Sequence, residues 1–256
     1  MRKLIAMIYK LLLLFFLFSF RFNYSSAQNN RPPTEAEMTA INKAVNVIVP
    51  LVDRFQNETW QKEEGGADAP ENYSVQKHPN VVMGVAPFND WHFTIRQNSD
   101  YYQKNIKPYY EKITNNQVNL QDAKALEEYQ KEGKKIKLEY NLFVEVHVNE
   151  AGLPVKPVKN SAADLKIPGC YFSYKQQPDK LIGTDRNIPD SYVLVFGNWG
   201  NVKTIPGLHE YDFKYTHPPG SPFIENIVII ISGPPARLQE LLKTTDWKSV
   251  NDGLTN

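Results

Sequence analysis

The chain is 256 residues long and has one cysteine, Cys170. A lone thiol cannot close an internal disulfide, so stability has to come from packing. With Tyr171 and Phe172 beside it, Cys170 reads as a buried thiol behaving as a small hydrophobe. An intermolecular disulfide and a catalytic nucleophile are the alternatives, and spacing assigns no partner histidine to the second. Histidine is also scarce: His78, His92, His147, His209 and His217 are the five. No two stand at the i, i+4 spacing of a zinc-binding helix, and His209-Glu210 is not followed by a second histidine at the right distance. The sequence has no G-x-S-x-G elbow, no phosphate loop and no G-x-G-x-x-G. The serine-hydrolase, nucleotide and dinucleotide readings therefore lack their usual signatures. No repeat of fixed period is visible.

Long apolar runs are absent with one exception, at the N-terminus. Arg2, Lys3 and Lys10 precede Leu11 to Phe18, and the chain then turns polar. Ser25-Ser26-Ala27 supplies the small residues a signal peptidase requires, with Gln28 as the first mature residue. A spanning helix needs about 20 apolar residues, and Lys10 splits this run. Cleavage after Ala27 is thus favoured over a membrane anchor at residues 4–20. There is no cysteine near the cleavage point to carry a lipid, and no twin-arginine pair. Removal of residues 1–27 takes away Arg2, Lys3, Lys10 and Arg21 and no acid, leaving 25 basic against 28 acidic residues. That balance argues against nucleic acid, which needs a basic stripe. The expected product is an exported chain, secreted or periplasmic, with no stable membrane span.

What is present is an α+β pattern. Ile227 to Ile231 holds no polar side chain, four of its five being isoleucine and one valine. Stiff β-branched residues apolar on both faces predict a central strand. Gly233-Pro234-Pro235 ends it, and Leu238, Leu241 and Leu242 follow at helical spacing. Thr34 and Glu37 form a capping box ahead of a stripe of Ile41, Val45, Ile48, Val52 and Phe55, which Pro50 is expected to kink or split. Residues 61–80 read as a mobile loop, with Val81-Val82-Met83 and Trp91 to Arg96 as strands. Residues 97–133 read as helical, with Ser99 or Asp100 as the N-cap and Gly133 as the stop. From Ile136 to Val148 apolar and polar residues alternate, predicting one long strand. Further strands are predicted at Cys170 to Tyr174, Tyr192 to Phe196 and His209 to Thr216. The division is then a helical and β part over 28–133 and a β-rich core with a C-terminal helix over 134–256, with a single domain as the alternative. The core sheet is expected to be mainly antiparallel and to lie within 134–232. Asn57-Glu58-Thr59 and Asn72-Tyr73-Ser74 match the glycosylation sequon, which matters only in a eukaryotic secretory pathway.

Two sets of side chains can carry function. Glu145 and His147 are two apart on a strand and share a face, so they can act as acid and base, with His209 as a third member. A metal site needs three or four convergent ligands and spacing supplies only this pair, so neither metal nor cofactor is expected. The second set is aromatic: Tyr101, Tyr102, Tyr109 and Tyr110 flank Pro108, and Trp199 lies in what reads as an exposed Gly-Asn-Trp-Gly loop. Such side chains present flat apolar faces with polar tips, suited to a sugar, peptide or protein partner. Ordinary packing is the competing reading for both sets. The expected function is therefore a non-enzymatic exported binding or envelope-associated protein, with an exported hydrolase centred on Glu145, His147 and His209 as the alternative.

Overall fold

The computed structural model describes residues 31–65, 73–76, 82–86, 90–150, 152–155, 166–176, 190–197, 199–205 and 208–255. Residues 1–27, read from sequence as an export signal, together with Gln28 and His78, lie outside the described residues.

A six-stranded antiparallel sheet organises the molecule, in the order β1 (Trp60–Gly65), β4 (Asp90–Ile95), β5 (Asn141–Val148), β11 (Asn226–Gly233), β8 (Asp190–Gly197), β7 (Phe172–Gln176). The apolar run becomes β11, paired on one side with β5 and on the other with β8. Two smaller sheets accompany it: β6 (Gly152–Val155), β10 (Leu208–Phe213) and β9 (Trp199–Ile205) form one, and β2 (Ser74–Gln76) with β3 (Gly84–Ala86) forms the other.

Alternation sends the two faces of β11 into different cores. Ile227, Ile229 and Ile231 face a large cluster. It is closed by α1 (Glu35–Asp53), by α4 (Pro235–Thr244) and by a 3-10 turn at Trp247–Gly253. Val228 faces the smaller cluster, with Phe172, Val193, Val195, Trp199 and Phe213. This is why a strand apolar on both sides is central: each face is dried by a different layer.

The capping box forms as the sequence predicts, with Glu37 also taking a bidentate bond from Arg31 at 2.6 and 2.7 Å. That charged fork, the bonds from Thr34 and the charge of Arg31 outweigh burial and hold the Glu37 carboxyl down at about 2. Pro50 neither splits nor ends α1, which continues to Asp53.

Three expectations give way to tertiary effects. The stretch from Gln61 to Gly65 is part of an edge strand, not a loop, and Trp60 at its start is buried. Its lysine and glutamates are what an edge strand carries to resist pairing with another chain. Of Val81 to Met83, the described Val82 and Met83 are buried but lie outside the strand, which begins at Gly84. The third concerns the long alternation from Ile136. The segment 136–140 is the end of a helix, α3 (Ala123–Tyr140), and the strand starts only at Asn141. Tyr129, Gly133, Ile136 and Tyr140 also repeat at steps of four and three. Lysine, leucine and glutamate favour helix, so the helical period won. Asn141 closes α3 by donating from Nδ2 to the Lys137 carbonyl at 2.7 Å.

Gly133 is thus inside α3 and not its stop. A Cβ there would lie 2.1 Å from the Tyr109 hydroxyl oxygen. Tyr109 comes from α2 (Lys107–Thr114) and is held by stacking on Tyr129 at 4.3 Å, with planes 9° apart. Alanine in an exposed helix interior normally stabilises by about 1 kcal/mol over glycine. Here the clash reverses the sign, so Gly133→Ala is expected to lower Tm. A higher Tm in thermal melts would show that α2 and α3 do not meet this closely.

Candidate functional site

The strands β4 and β5 carry the first candidate set. The face of β5 opposite the core bears Phe143, Glu145 and His147 while Leu142, Val144, Val146 and Val148 are buried. His92 of β4 stacks on Phe143 at 4.6 Å with planes 5° apart, and its Nε2 donates to Asn141 Oδ1 at 2.7 Å. Asp90 stands opposite Glu145 across the strand pair. Glu145 and His147 do meet: His147 Nε2 lies 3.7 Å from Glu145, and Nδ1 lies 3.4 Å from Glu150. Both imidazole nitrogens therefore face carboxylates.

That geometry sets the protonation state. Glu145 and then Glu150 stabilise the charged ring against the opposing effect of burial, raising His147 to about 9. His147 in turn holds Glu145 below the usual carboxylate range. Asp90 is pushed up, first by burial and then by the Glu145 charge. A histidine protonated at neutral pH has no lone pair with which to take a proton, so His147 is badly placed to be a general base. His209 belongs to β10, in the three-stranded sheet, and only its backbone is described. Among the described residues, no group of three His, Cys, Asp or Glu is placed to hold a metal.

A second prediction follows from the His147 pairs. The ring and its partners are between a third and a half exposed, so solvent screens the pairs and each contributes about 0–1 kcal/mol. The folded pKa lies above the ordinary 6.5. Whatever the pairs contribute is then fully present below pH 6.5 and lost as pH rises toward 9. An NMR titration of the His147 ring should show a midpoint well above 6.5 that falls back in Glu145→Gln. A midpoint at or below the ordinary value would mean that the carboxylates do not hold the ring.

The tyrosines form the second set. A π-helical turn, Tyr102–Ile106, runs directly into α2, with Ser99 Oγ accepting from the Tyr102 N–H at 3.2 Å. Pro108 stands in the first turn of α2, directly after the π turn. Packing of this segment on α3 brings Tyr101, Tyr102, Tyr109 and Tyr110 beside two further tyrosines, Tyr129 and Tyr140. Tyr102 and Tyr140 rings are 6.3 Å apart, and Tyr110 meets the Tyr109 ring edge-on at 5.2 Å. Tyr101 is 39% and Tyr110 45% exposed. The Tyr101 hydroxyl donates to Glu139 at 3.4 Å. Tyr109 differs from its neighbours. It is buried and fills the space over Gly133, so it supports the surface without being presented on it. Burial, and next a hydrogen bond with Tyr129, drive its hydroxyl pKa up. Tyr129 and Tyr140 were recoverable from the step of four and three in α3, once 136–140 is read as helix.

Trp199 is a correction. It is 1% exposed, opens strand β9 and packs in the smaller core. Gly197, at φ 99°, turns the chain where a Cβ would strike the Glu225 carbonyl oxygen at 2.3 Å. The indole then folds back, donating from Nε1 to the Phe196 carbonyl at 3.0 Å, with its ring edge-on to Phe172 and Phe213. The flanking glycines mark a tight turn and not an exposed loop. Cys170 is half-buried and packed against the main core, and burial pushes its thiol up to about 12. That leaves little of the reactive thiolate at neutral pH.

Comparison of the chain with protein-family models, with curated proteins and with solved structures found no match. The class defined by the coordinates themselves is an α+β protein: an antiparallel sheet with helices over one face and a smaller sheet over part of the other. No described helix is long and apolar enough to cross a membrane.

Proposed function

We propose that this is an exported, non-enzymatic binding protein that grips a sugar or peptide chain on the tyrosine surface of the π turn, α2 and α3. The observation that carries the reading is the exposure of Tyr101 and Tyr110 on a rigid backing of stacked tyrosines. Tyrosine gives large contact area with few rotamers to freeze, and its hydroxyl keeps a polar tip for hydroxyl-rich or amide-rich ligands. Glu139, beside the Tyr101 hydroxyl, adds an acceptor at the rim. The charged state of His147 speaks against a general-base role for it on the β4–β5 face. Export rests on the basic, apolar and small-residue order of residues 1–27.

The test uses residues 28–256 on glycan and peptide arrays, followed by titration of the hits. Tyr101→Ala with Tyr110→Ala should abolish binding and leave Tm unchanged, since both rings are exposed. Binding that survives the double substitution sinks the tyrosine surface. Intact mass of the exported protein should correspond to a chain beginning at Gln28.

A further inference from the structure

Between β10 and β11 the chain runs through a strap, KYTHPPGSPFIE, residues 214–225. Pro218, Pro219 and Pro222 carry no N–H, so the strap has few backbone donors with which to hold its own shape. Within it, the Ser221 N–H donates to the Pro218 carbonyl at 3.1 Å and the Phe223 N–H to the Ser221 carbonyl at 2.9 Å. Gly220, at φ 84°, makes the turn.

One buried carboxylate closes the strap. The Glu225 side chain is 5% exposed. Its Oε2 accepts from the Thr216 N–H at 2.7 Å and from the Thr216 hydroxyl at 2.9 Å. Its Oε1 accepts from the His217 N–H at 2.9 Å and from His217 Nδ1 at 2.7 Å. The His217 ring lies flat on Phe223, 3.7 Å away with planes 12° apart. Both ends of the strap are pinned separately, to the residue that follows β5. The Tyr215 hydroxyl donates to the Asn149 carbonyl, and the Asn149 amide holds the Phe223 carbonyl and the Glu225 N–H. The arc from Thr216 to Pro222 is therefore what the Glu225 carboxylate itself fixes.

Each oxygen of that carboxylate faces two donors, so a proton added to either one points at groups that are themselves donating. At 5% exposure solvent has little room to accept it, and only the Thr216 hydroxyl can turn to do so. Burial raises the Glu225 carboxyl, but the bonds from Thr216 and His217 outweigh it and hold the group below the ordinary 4.5. Other charged or titratable groups near the strap are Lys214 and Tyr215 in it and Glu150 beside it. Burial first, and then the charges of Glu150 and Glu225, hold the Tyr215 hydroxyl neutral. Glu150 itself faces His147 at 3.4 Å. We propose that Glu225 is an acid-released latch: ionised, it keeps the arc 216–222 closed, and protonated, it lets that arc open while both ends stay tied to Asn149. The contribution of the latch is fully present above pH 4.5 and is lost as pH falls through the lower folded value. Opening parts His217 from Phe223 and presents a proline-rich segment that is folded down at neutral pH.

The experiment is an NMR titration of the isotope-labelled chain, residues 28–256, from neutral pH to about pH 3. The Glu225 carboxyl should titrate below 4.5. The amide signals of Thr216, His217, Gly220 and Ser221 should move to unfolded positions with the same midpoint, while those of β11 stay in place. Thr216→Val removes one donor to the carboxylate and should shift that midpoint up by about one unit. Glu150→Gln should leave it unchanged. Glu225→Gln, whose amide turns N–H groups toward the same donors, should be open already at neutral pH. Thr216 is exposed, so its variant keeps the test decisive even where Glu225→Gln does not fold. Strap signals that stay folded until β11 itself unfolds overturn the proposal. So does an opening midpoint that departs from the Glu225 titration, that Thr216→Val leaves in place, or that Glu150→Gln moves as far.

Discussion

Ile229→Ala should cost about 2–5 kcal/mol of folding stability, the range for cutting a buried isoleucine back to alanine. Ile229 is 0% exposed and sits midway along β11, opposite Val146 of β5 and Leu194 of β8. Its side chain points into the larger core, between the sheet and the helices. Neighbours on two strands and on a second layer cannot all relax into the vacated volume, so the cavity cost adds to the lost transfer free energy. Denaturant melts should show a lower midpoint with an unchanged m-value. A loss below about 1 kcal/mol would mean that the layer over this face is loosely packed.

Asn149→Ala is expected to cost a similar amount, about 3–5 kcal/mol, for a different reason. Asn149 follows β5, is 3% exposed and has φ of 56°. Its Nδ2 donates to the carbonyls of Met83 and Phe223, both at 2.8 Å, and its Oδ1 accepts from the Glu225 N–H at 2.9 Å. Two carbonyls and one N–H as partners leave only one orientation of the amide. One side chain thereby joins three segments distant in sequence. Alanine would leave two carbonyls and one N–H without partners, at about 1–3 kcal/mol each for fully buried groups. Asn149→Gly separates the effects: it removes the positive-φ strain but also removes the three bonds. It should still destabilise strongly. Glycine as stable as asparagine would show that backbone conformation, and not the amide, is what the position requires. The segment this hub anchors is held further by Glu225. Burial alone would raise that carboxyl, but bonds from Thr216 and His217 outweigh it and keep it below the ordinary range.

The parts legible in advance were those written in local chemistry. The α1 capping box, the centrality of β11, the break at Gly233 and the leucine stripe of α4 all appear where their residue patterns place them. So does the strict alternation of β5 from Leu142 onward, and with it the shared face of Glu145 and His147. The errors fell where two local signals competed or where a neighbour decided. Residues 136–140 satisfied both a strand and a helix period, and the contact of Tyr109 with Gly133 lies on the helical solution. Gln61 to Gly65 looked like loop because charge and glycine suit an edge strand equally well.

The sequence by itself determined the class of object: an α+β chain with no internal disulfide and a central apolar strand. These depend on composition, periodicity and order along the chain, which need no knowledge of distant contacts. The tertiary structure decided what the candidate residues are for. It buried Trp199 beneath the second sheet, made Tyr109 a support while leaving Tyr101 and Tyr110 exposed, and set His147 between two carboxylates that keep it charged. It also brought the Arg237 guanidinium onto the Phe55 carbonyl. Exposure and protonation depend on which surfaces meet, and residues nearly two hundred positions apart meet only through the fold.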